Sequence, residues 1–373
     1  MSTSSNKCRY YDSDEAPEEI RIAIMGPTGT GKTSFINLLS GSNLAVGEEM
    51  ESCTNGVQTT EPFDFEGRRI ILIDTPGFDD TTINDTDVLA MIAAHLSIIH
   101  QHRKPLAGVI YMHRILDNRI GGISSRNFRM FRNLCGDSTL QNVVIVTNMW
   151  DQVDPYVGKI REQELSDKDI FFKPVLDKGA NLARHDGTVG SGQAILRTLL
   201  QRQPKVLQIQ SELESGLDIS ETSAGKELNR DLMEQITKHQ EEIRVLMVEM
   251  DEASKVRDQE TRRELAQERA KLQADIIRIQ MDSRNLASSY KEAMAKLEYR
   301  MREMEVAARA RRMAEEVQEV TSVPLSEEGR KRMEAVITAD NAVFEAKVAS
   351  ALPVVGFWGR LAVILSPFSF TWK

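Results

Sequence analysis

The sequence predicts a doubly wound, mostly parallel α/β sheet followed by a long α-helical, coiled-coil-like region. Two observations carry that expectation. Short apolar runs at residues 20–25, 69–73, 108–112 and 143–146 alternate with helix-like stretches at 34–40, 85–102 and 126–135. Near-continuous Ile/Val runs of that length suit parallel strands buried on both faces, and their alternation with helices indicates a doubly wound sheet. From Lys226 to Val323 the chain then contains neither Gly nor Pro and is mostly Glu, Arg, Ala, Leu, Met, Lys and Gln, a composition that favours long helix.

Residues 1–18 carry no apolar stretch; they are expected to be a disordered lead-in, with no secretory signal. Residues 19–204 form the expected α/β domain and 205–323 the helical region. Within the latter, Leu232, Ile236, Ile243, Leu246 and Met250 hold one seam at three-four spacing. Leu272, Ile276, Ile279, Leu286, Tyr290, Ala293 and Leu297 hold another. The intervening VRDQETRRE lacks apolar spacing, so a break is expected there. Two arrangements satisfy the seams: a hairpin packed on its own globular domain, or a coiled coil between chains. Pro324 ends or kinks the helix, and residues 324–373 are read as a short helix and an apolar tail. The tail VASALPVVGFWGRLAVILSPFSFTWK has Arg360 in its middle. Contact with a membrane surface, docking on the protein's own core and a buried dimer contact are all open for it.

The charged fraction of 28% and hydrophobic fraction of 41% are those of a soluble protein, and a net charge of −9 argues against a nucleic-acid binder. Cys8, Cys53 and Cys135 are too far apart and too few for a metal quartet or a disulfide framework. They suit a reducing, cytoplasmic setting.

The first run is followed at once by Gly26-Pro27-Thr28-Gly29-Thr30-Gly31-Lys32-Thr33 and then by Ser34 at the start of a helix. This is GxxxxGK[ST], the phosphate-binding loop. Phosphate oxygens need many donors in a small volume; the glycines let backbone N–H groups converge, and the helix adds its positive end. Lys32 is placed to reach the β- and γ-phosphates and Thr33 to ligate Mg²⁺. The second run ends in Asp74-Thr75-Pro76-Gly77. An Asp there can hold Mg²⁺ through water, and Gly77 can offer its N–H to a γ-phosphate; the plain alternative is a tight turn. The last run ends in Asn148-Met149-Trp150-Asp151.

Together GPTGTGKT, DTPG and NMWD resemble the motifs of the P-loop GTPases of the translation-factor class. Spacing and flanks are similar to the septin and immunity-associated GTPase branch. ESCTNGVQ and YMHRILDNRIGG further resemble fungal G-domain-containing proteins with a coiled-coil tail. The resemblance covers about residues 20–203. It implies a G domain that binds GTP or GDP with Mg²⁺ and a threonine closing over the metal. Thr54 is the best match for that residue, with Thr59 and Thr60 as alternatives. It also implies nucleotide-dependent dimerisation, through the G domain or the helical arm. Lys32, Thr54 and Gly77 are the expected catalytic residues, and Thr33, Thr54 and Asp74 the metal ligands. Asp151 takes the guanine N1–H and exocyclic amine with one carboxylate, a contact adenine cannot make. Met149 stands where the family carries Lys, and its thioether chain can cover a purine face. Trp150 packs below that loop or flanks the base. Gly179, in Lys178-Gly179-Ala180, is the weak match for the remaining base contact.

One departure matters. Phe78 stands where many small GTPases have a water-orienting Gln, so slow intrinsic hydrolysis is expected. Asp79, Asp80, His113, Arg114 and Arg119 are unranked candidates for helping groups. Two other functions compete with a switch or assembly GTPase. One is a scaffold that binds GTP without turning it over. The other is a coiled-coil ATPase, against which stand the missing acidic residue after Asp74 and the missing second ATPase half.

Overall fold

A computed structural model describes residues 19–44, 56–79, 83–104, 106–117, 122–255 and 258–322. The lead-in, Thr54, Asp80, Arg119, Pro324 and the apolar tail therefore lie outside the described residues. Strands β1 (Glu19–Met25), β4 (Arg68–Asp74), β5 (Leu106–Arg114) and β6 (Val143–Asn148) are the four apolar runs, extended by a few residues. Three short strands join them: β2 (Gln58–Thr59), β3 (Phe63–Phe65) and β7 (Asn181–Arg184). The sheet order is β2-β4-β1-β5-β6-β7, with β3 also on β4. β1, β4, β5, β6 and β7 run parallel; β2 and β3 are antiparallel to β4.

Both faces of the central strands are buried, and alternate residues divide between two cores. Ala23, Met25, Ile73, Val109, Tyr111, Val143 and Ile145 face one way. They meet helices α2 (Asp85–Gln101) and α3 (Gly122–Cys135). Ile22, Ile24, Ile70, Leu72, Ile110, Met112, Val144 and Val146 face the other. They meet α1 (Lys32–Ser40) and α6 (Val189–Leu200). This period-two division is why the strands read as unbroken apolar runs. Helices α4 (Pro155–Asp167) and α5 (Lys173–Leu176) lie between β6 and β7.

The chain divides into two compact units, residues 1–300 and residues 301–373. In the first, α7 (Gln208–Glu214), α8 (Ser223–Lys255) and the start of α9 (Gln259–Ser322) form a further layer on the α2–α3 core. Leu228, Leu232 and Ile236 of α8 and Ile279 and Leu286 of α9 are buried in it. The upper parts of both seams thus face their own domain. Ser283 Oγ donates to Asn229 Oδ1 at 2.8 Å, and the Tyr290 and Ser97 hydroxyls lie 3.2 Å apart. The expected break is the interval between Lys255 and Gln259. Of the second unit, residues 301–322 continue α9. Among the described residues no helix is long and apolar enough to cross a membrane.

Two histidines of the first unit make stability depend on pH. Burial, helped by Arg21 and Lys104, lowers the pKa of His95 from 6.5 to about 4. Burial also takes His113 to about 4, with Asp117 pulling it up and Arg114 pushing it down. Between pH 6.5 and 4 the unfolded chain binds protons that the folded one refuses, so stability must fall as pH drops through that window. Each histidine contributes at most about 3 kcal/mol, because a tenfold change in proton affinity is worth ~1.4 kcal/mol. Urea titrations at pH 7 and pH 5 should show this loss, smaller in His95→Gln; equal midpoints would contradict it.

Candidate nucleotide site

The site lies at the C-terminal edge of the parallel strands, beside the point where the chain, having placed β4 on one side of β1, places β5 on the other. Such switch points open a crevice at the strand ends. The loop after β1 begins at Gly26, whose φ is 139°. A Cβ there would lie 2.4 Å from the Met112 carbonyl oxygen, so no side chain fits between loop and strand β5. Lys32 Nζ donates to the carbonyls of Gly26 and Pro27 at 3.0 and 2.9 Å. Thr30 Oγ1 donates to Pro27 O at 2.9 Å. These bonds curl the loop around its own ammonium group, with Gly31 as left-handed cap of α1.

Beside it, Thr33 Oγ1 donates to Asp74 Oδ2 at 2.6 Å. Asp74 is fully buried, and its Oδ1 has no hydrogen-bond partner. Burial pushes this carboxyl above its ordinary pKa, against the pull of the Thr33 hydroxyl and the Lys32 charge. An orphaned carboxylate oxygen beside a threonine hydroxyl is a hard-oxygen donor set. No cluster of three or more His, Cys, Asp or Glu suited to a metal occurs among the described residues. One carboxylate and one hydroxyl fit Mg²⁺ well, because that ion keeps several waters and takes phosphate oxygens as its other ligands.

Gly77 is pressed against the phosphate loop: a Cβ on it would lie 2.4 Å from the Thr28 nitrogen. Thr28 N–H donates to the Phe78 carbonyl at 3.2 Å. The Phe78 side chain turns the other way, into the apolar core with Val88 and Leu89, and is 1% exposed. It anchors the loop and faces no reaction space. Asp79 follows with φ 67°, its N–H donating to Asp85 Oδ1 at 2.8 Å.

The turn carrying Asn148 to Asp151 is built on β6. Asn148 Nδ2 donates to the Thr30 carbonyl at 3.1 Å, and its Oδ1 accepts the Met149 N–H at 2.8 Å. Met149 is left-handed at φ 63°, which turns the chain so that Asp151 is exposed on a short 3-10 turn. Trp150 lies below this turn. Its Nε1 donates to Thr147 O at 3.2 Å and Oγ1 at 3.1 Å, and its ring abuts Gly158. The Arg184 guanidinium covers its other side at 4.1 Å.

Gly26 to Ser34, Asp74, Gly77, Asn148 and Asp151 therefore share one edge. Gly179 does not join them. It precedes β7, whose Asn181 pairs with Val144 near the start of β6, and a Cβ on Gly179 would meet Gln141. The loop that does reach the edge bearing Asn148 and Asp151 is Arg184, His185 and Asp186. His185 N–H donates to Thr147 O at 2.9 Å, and its Nδ1 pairs with Ser191 Oγ at 2.8 Å. Sequence reasoning missed it because NLAR is too short and too mixed to show as a strand. Of the alternatives to Thr54, Thr60 is buried in the β2–β4 pairing, where its hydroxyl accepts the Leu72 N–H at 3.0 Å. Thr59 lies in β2 itself, paired with Ile73. His113 is buried edge-on to Phe172, 5.4 Å between ring centres, and does not face the nucleotide edge. A separate cavity of about 610 Å³ lies between α2 and α9, lined by Val57, Ile83, Met91, Ala293 and Leu297 among others.

Residues 21–161 match the family model described as 50S ribosome-binding GTPase. These residues are a P-loop GTPase G domain. A GTPase Der of Pelotomaculum thermopropionicum is 27% identical over 184 residues, 46% of this chain and 38% of that protein. A GTPase Der of Wolinella succinogenes is 36% identical over 64 residues, 17% of this chain and 13% of that one. This chain thus spans well under half the length of these curated relatives. Among solved structures, Toc33 from Arabidopsis thaliana in complex with Mg²⁺ and GMPPNP is similar with a TM-score of 0.40. Its identity is 15%, covering 50% of this chain and 88% of that one. Era from Aquifex aeolicus bound to GDP and AlF4⁻ has a TM-score of 0.36 and 17% identity, over 50% and 58%. The matched residues include the phosphate loop, the Asp74 turn and the Asn148–Asp151 turn, and stop before the helical layer.

Proposed function

We propose that this chain is a guanine-nucleotide switch or assembly GTPase with slow or partner-stimulated hydrolysis, whose helical arm carries the nucleotide state. The observation that carries the reading is the 3.1 Å bond from Asn148 Nδ2 to Thr30 O, which ties the base reader to the phosphate loop. In this reading residues 26–34 cradle the phosphates and Lys32 leaves its loop carbonyls for the β- and γ-oxygens. Gly77 offers its N–H to the γ-phosphate, and Asn148 and Asp151 hold guanine. Thr33 and Asp74, with Thr54 from outside the described residues, would hold Mg²⁺. That ion would offset the negative charge of the phosphates.

A chain of contacts supports a role for the arm. Asp85, which accepts the Asp79 N–H, pairs through Oδ2 with Arg126 NH2 at 2.8 Å. Arg126 Nε in turn lies 2.8 Å from Asp231 Oδ2 of α8, a charge contact whose N–H is not aimed for a hydrogen bond. Arg129 bonds Glu227 of the same helix at 2.8 Å. Asn84, the cap of α2, reaches Asp282 of α9 at 3.4 Å. Ordering of the γ-phosphate loop would thus be felt at α8 and α9. Resemblance to the septin and immunity-associated branch adds dimerisation of the chain, in the cytoplasm, as the form of assembly.

Titration with GDP, GTP and ATP in Mg²⁺ tests the central claim. Guanine nucleotides should bind far more tightly than ATP; equal affinities for GTP and ATP would end the proposal. The buried Phe78 favours a second reading, a scaffold that holds GTP without hydrolysis. Single-turnover hydrolysis at rising protein concentration separates the two. A rate that climbs with concentration supports the assembly GTPase, and no phosphate release at any concentration supports the scaffold.

A further inference from the structure

Arg114 is the last residue of β5 and is in register with Asn148 on β6. Its NH1 lies 3.4 Å from where a Cβ on Gly29 would sit, so the guanidinium rests on the phosphate loop. The head is held by Asp117, with Nε donating to Oδ2 at 3.3 Å and NH2 paired with Oδ1 at 3.1 Å. The turn bearing Asp117 is itself fixed. Asp117 N–H donates to Arg114 O at 3.3 Å, and Arg161 NH1 donates to the carbonyls of Ile115 and Leu116 at 3.1 and 2.9 Å. A cation therefore stands between the base reader and the phosphate loop. The residue that follows Asn148 there, Met149, is uncharged.

A nucleotide stretched from Asp151 to Lys32 must run its ribose and first phosphates through this interval. One lysine and one divalent cation leave a nucleoside triphosphate with negative charge uncompensated, and a guanidinium fork suits phosphate oxygens. We infer that Arg114 is a second cation of the nucleotide site, supplied by the same chain, which exchanges Asp117 for the α- and β-phosphates of the bound nucleotide. This inference rests on reading the site as one for guanine nucleotides. Asp117 then acts as the place-holder that keeps the guanidinium over Gly29 when no phosphate is present. Its carboxylate also competes with the phosphates, so it sets how tightly they are held.

The test compares GDP with guanosine, which lacks the phosphates, on wild type, Arg114→Met, Arg114→Lys and Asp117→Asn. Arg114→Met should weaken GDP about tenfold, the size of one charge-assisted hydrogen bond, and leave guanosine unchanged. Arg114→Lys should fall between, and Met149→Lys added to Arg114→Met should recover part of the loss. Asp117→Asn frees the guanidinium and should tighten GDP a few-fold; it carries the test if Arg114→Met fails to fold. Unchanged GDP affinity in Arg114→Met, or in Asp117→Asn where that variant stands in, overturns the role of Arg114 while leaving the nucleotide reading intact. Equal losses for GDP and guanosine also overturn it, because they mark a structural role. A wild type that binds neither GDP nor guanosine fails the nucleotide reading itself, and the inference with it.

Discussion

Asp151→Ala is expected to remove the preference for GTP over ATP. The carboxylate stands exposed on a turn whose shape does not depend on it: Asn148 caps Met149, and Trp150 is bonded to Thr147 and covered by Arg184. The substitution should therefore delete two hydrogen bonds to guanine and little else. Hydrogen bonds to a charged group contribute about 1.5–3 kcal/mol each, so a loss of at least about 3 kcal/mol, a hundredfold or more in GTP affinity, follows. ATP has no donors for the carboxylate, so its affinity should hardly change. Calorimetric titration with both nucleotides reads the ratio directly. A GTP-to-ATP ratio that survives the substitution would place base recognition elsewhere, with the loop of Arg184 to Asp186 the first place to look.

Arg126→Met should be the most destabilising single change on the arm side. The Arg126 guanidinium lies between Asp85 and Asp231, and the Asp231 side chain is only 6% exposed. Burial already pushes the Asp231 carboxyl up to about 6, against the pull of Arg126 and Arg129. Without Arg126 the buried Asp231 keeps only Arg129, 3.5 Å away, so the cost should sit near the low end for a broken buried ion pair, about 3 kcal/mol. Thermal unfolding should register this as a loss of roughly 5 °C in a unit of 300 residues. Asp231→Asn added to Arg126→Met should restore a good part, since it removes the stranded charge. If the single variant loses under ~1 kcal/mol, the contact is a surface pair of the weak kind. Hydrogen exchange on α8 should also lose any difference between GDP and a GTP analogue in Arg126→Met.

Much of the central sheet was legible because its strands are buried on both sides, so composition alone marks them. The phosphate loop was legible for a different reason: the chemistry of holding phosphate dictates which residues stand where. The short strands were not. β2 and β3 are two and three residues long, and β7 is a mixed segment at the edge of the sheet. Missing β7 misplaced Gly179 by the length of a strand, at the opposite edge from Asn148. Trp150 was ambiguous in sequence because an indole serves equally as base neighbour or core; the Gly158 gap into which it packs is a tertiary fact. The arm shows the same limit. Its seams were visible in the spacing of Leu232, Ile236, Ile279 and Leu286, yet spacing says only that a partner exists. That the partner is the α2–α3 core depends on contacts between residues far apart in the chain.

The added helical layer also decides which way this G domain can be approached. In residues 1–300, α7, α8 and α9 occupy the outer side of α2 and α3, the surface beside the Phe78 loop. A protein that sensed the nucleotide from that side would find the seat already taken. Among the described residues the outer face of α4 is not covered in this way, with Tyr156 and Ile160 largely exposed. The chain carries its own occupant for that face of residues 1–300, so a protein reading this domain would have to approach from a face that α7, α8 and α9 leave uncovered.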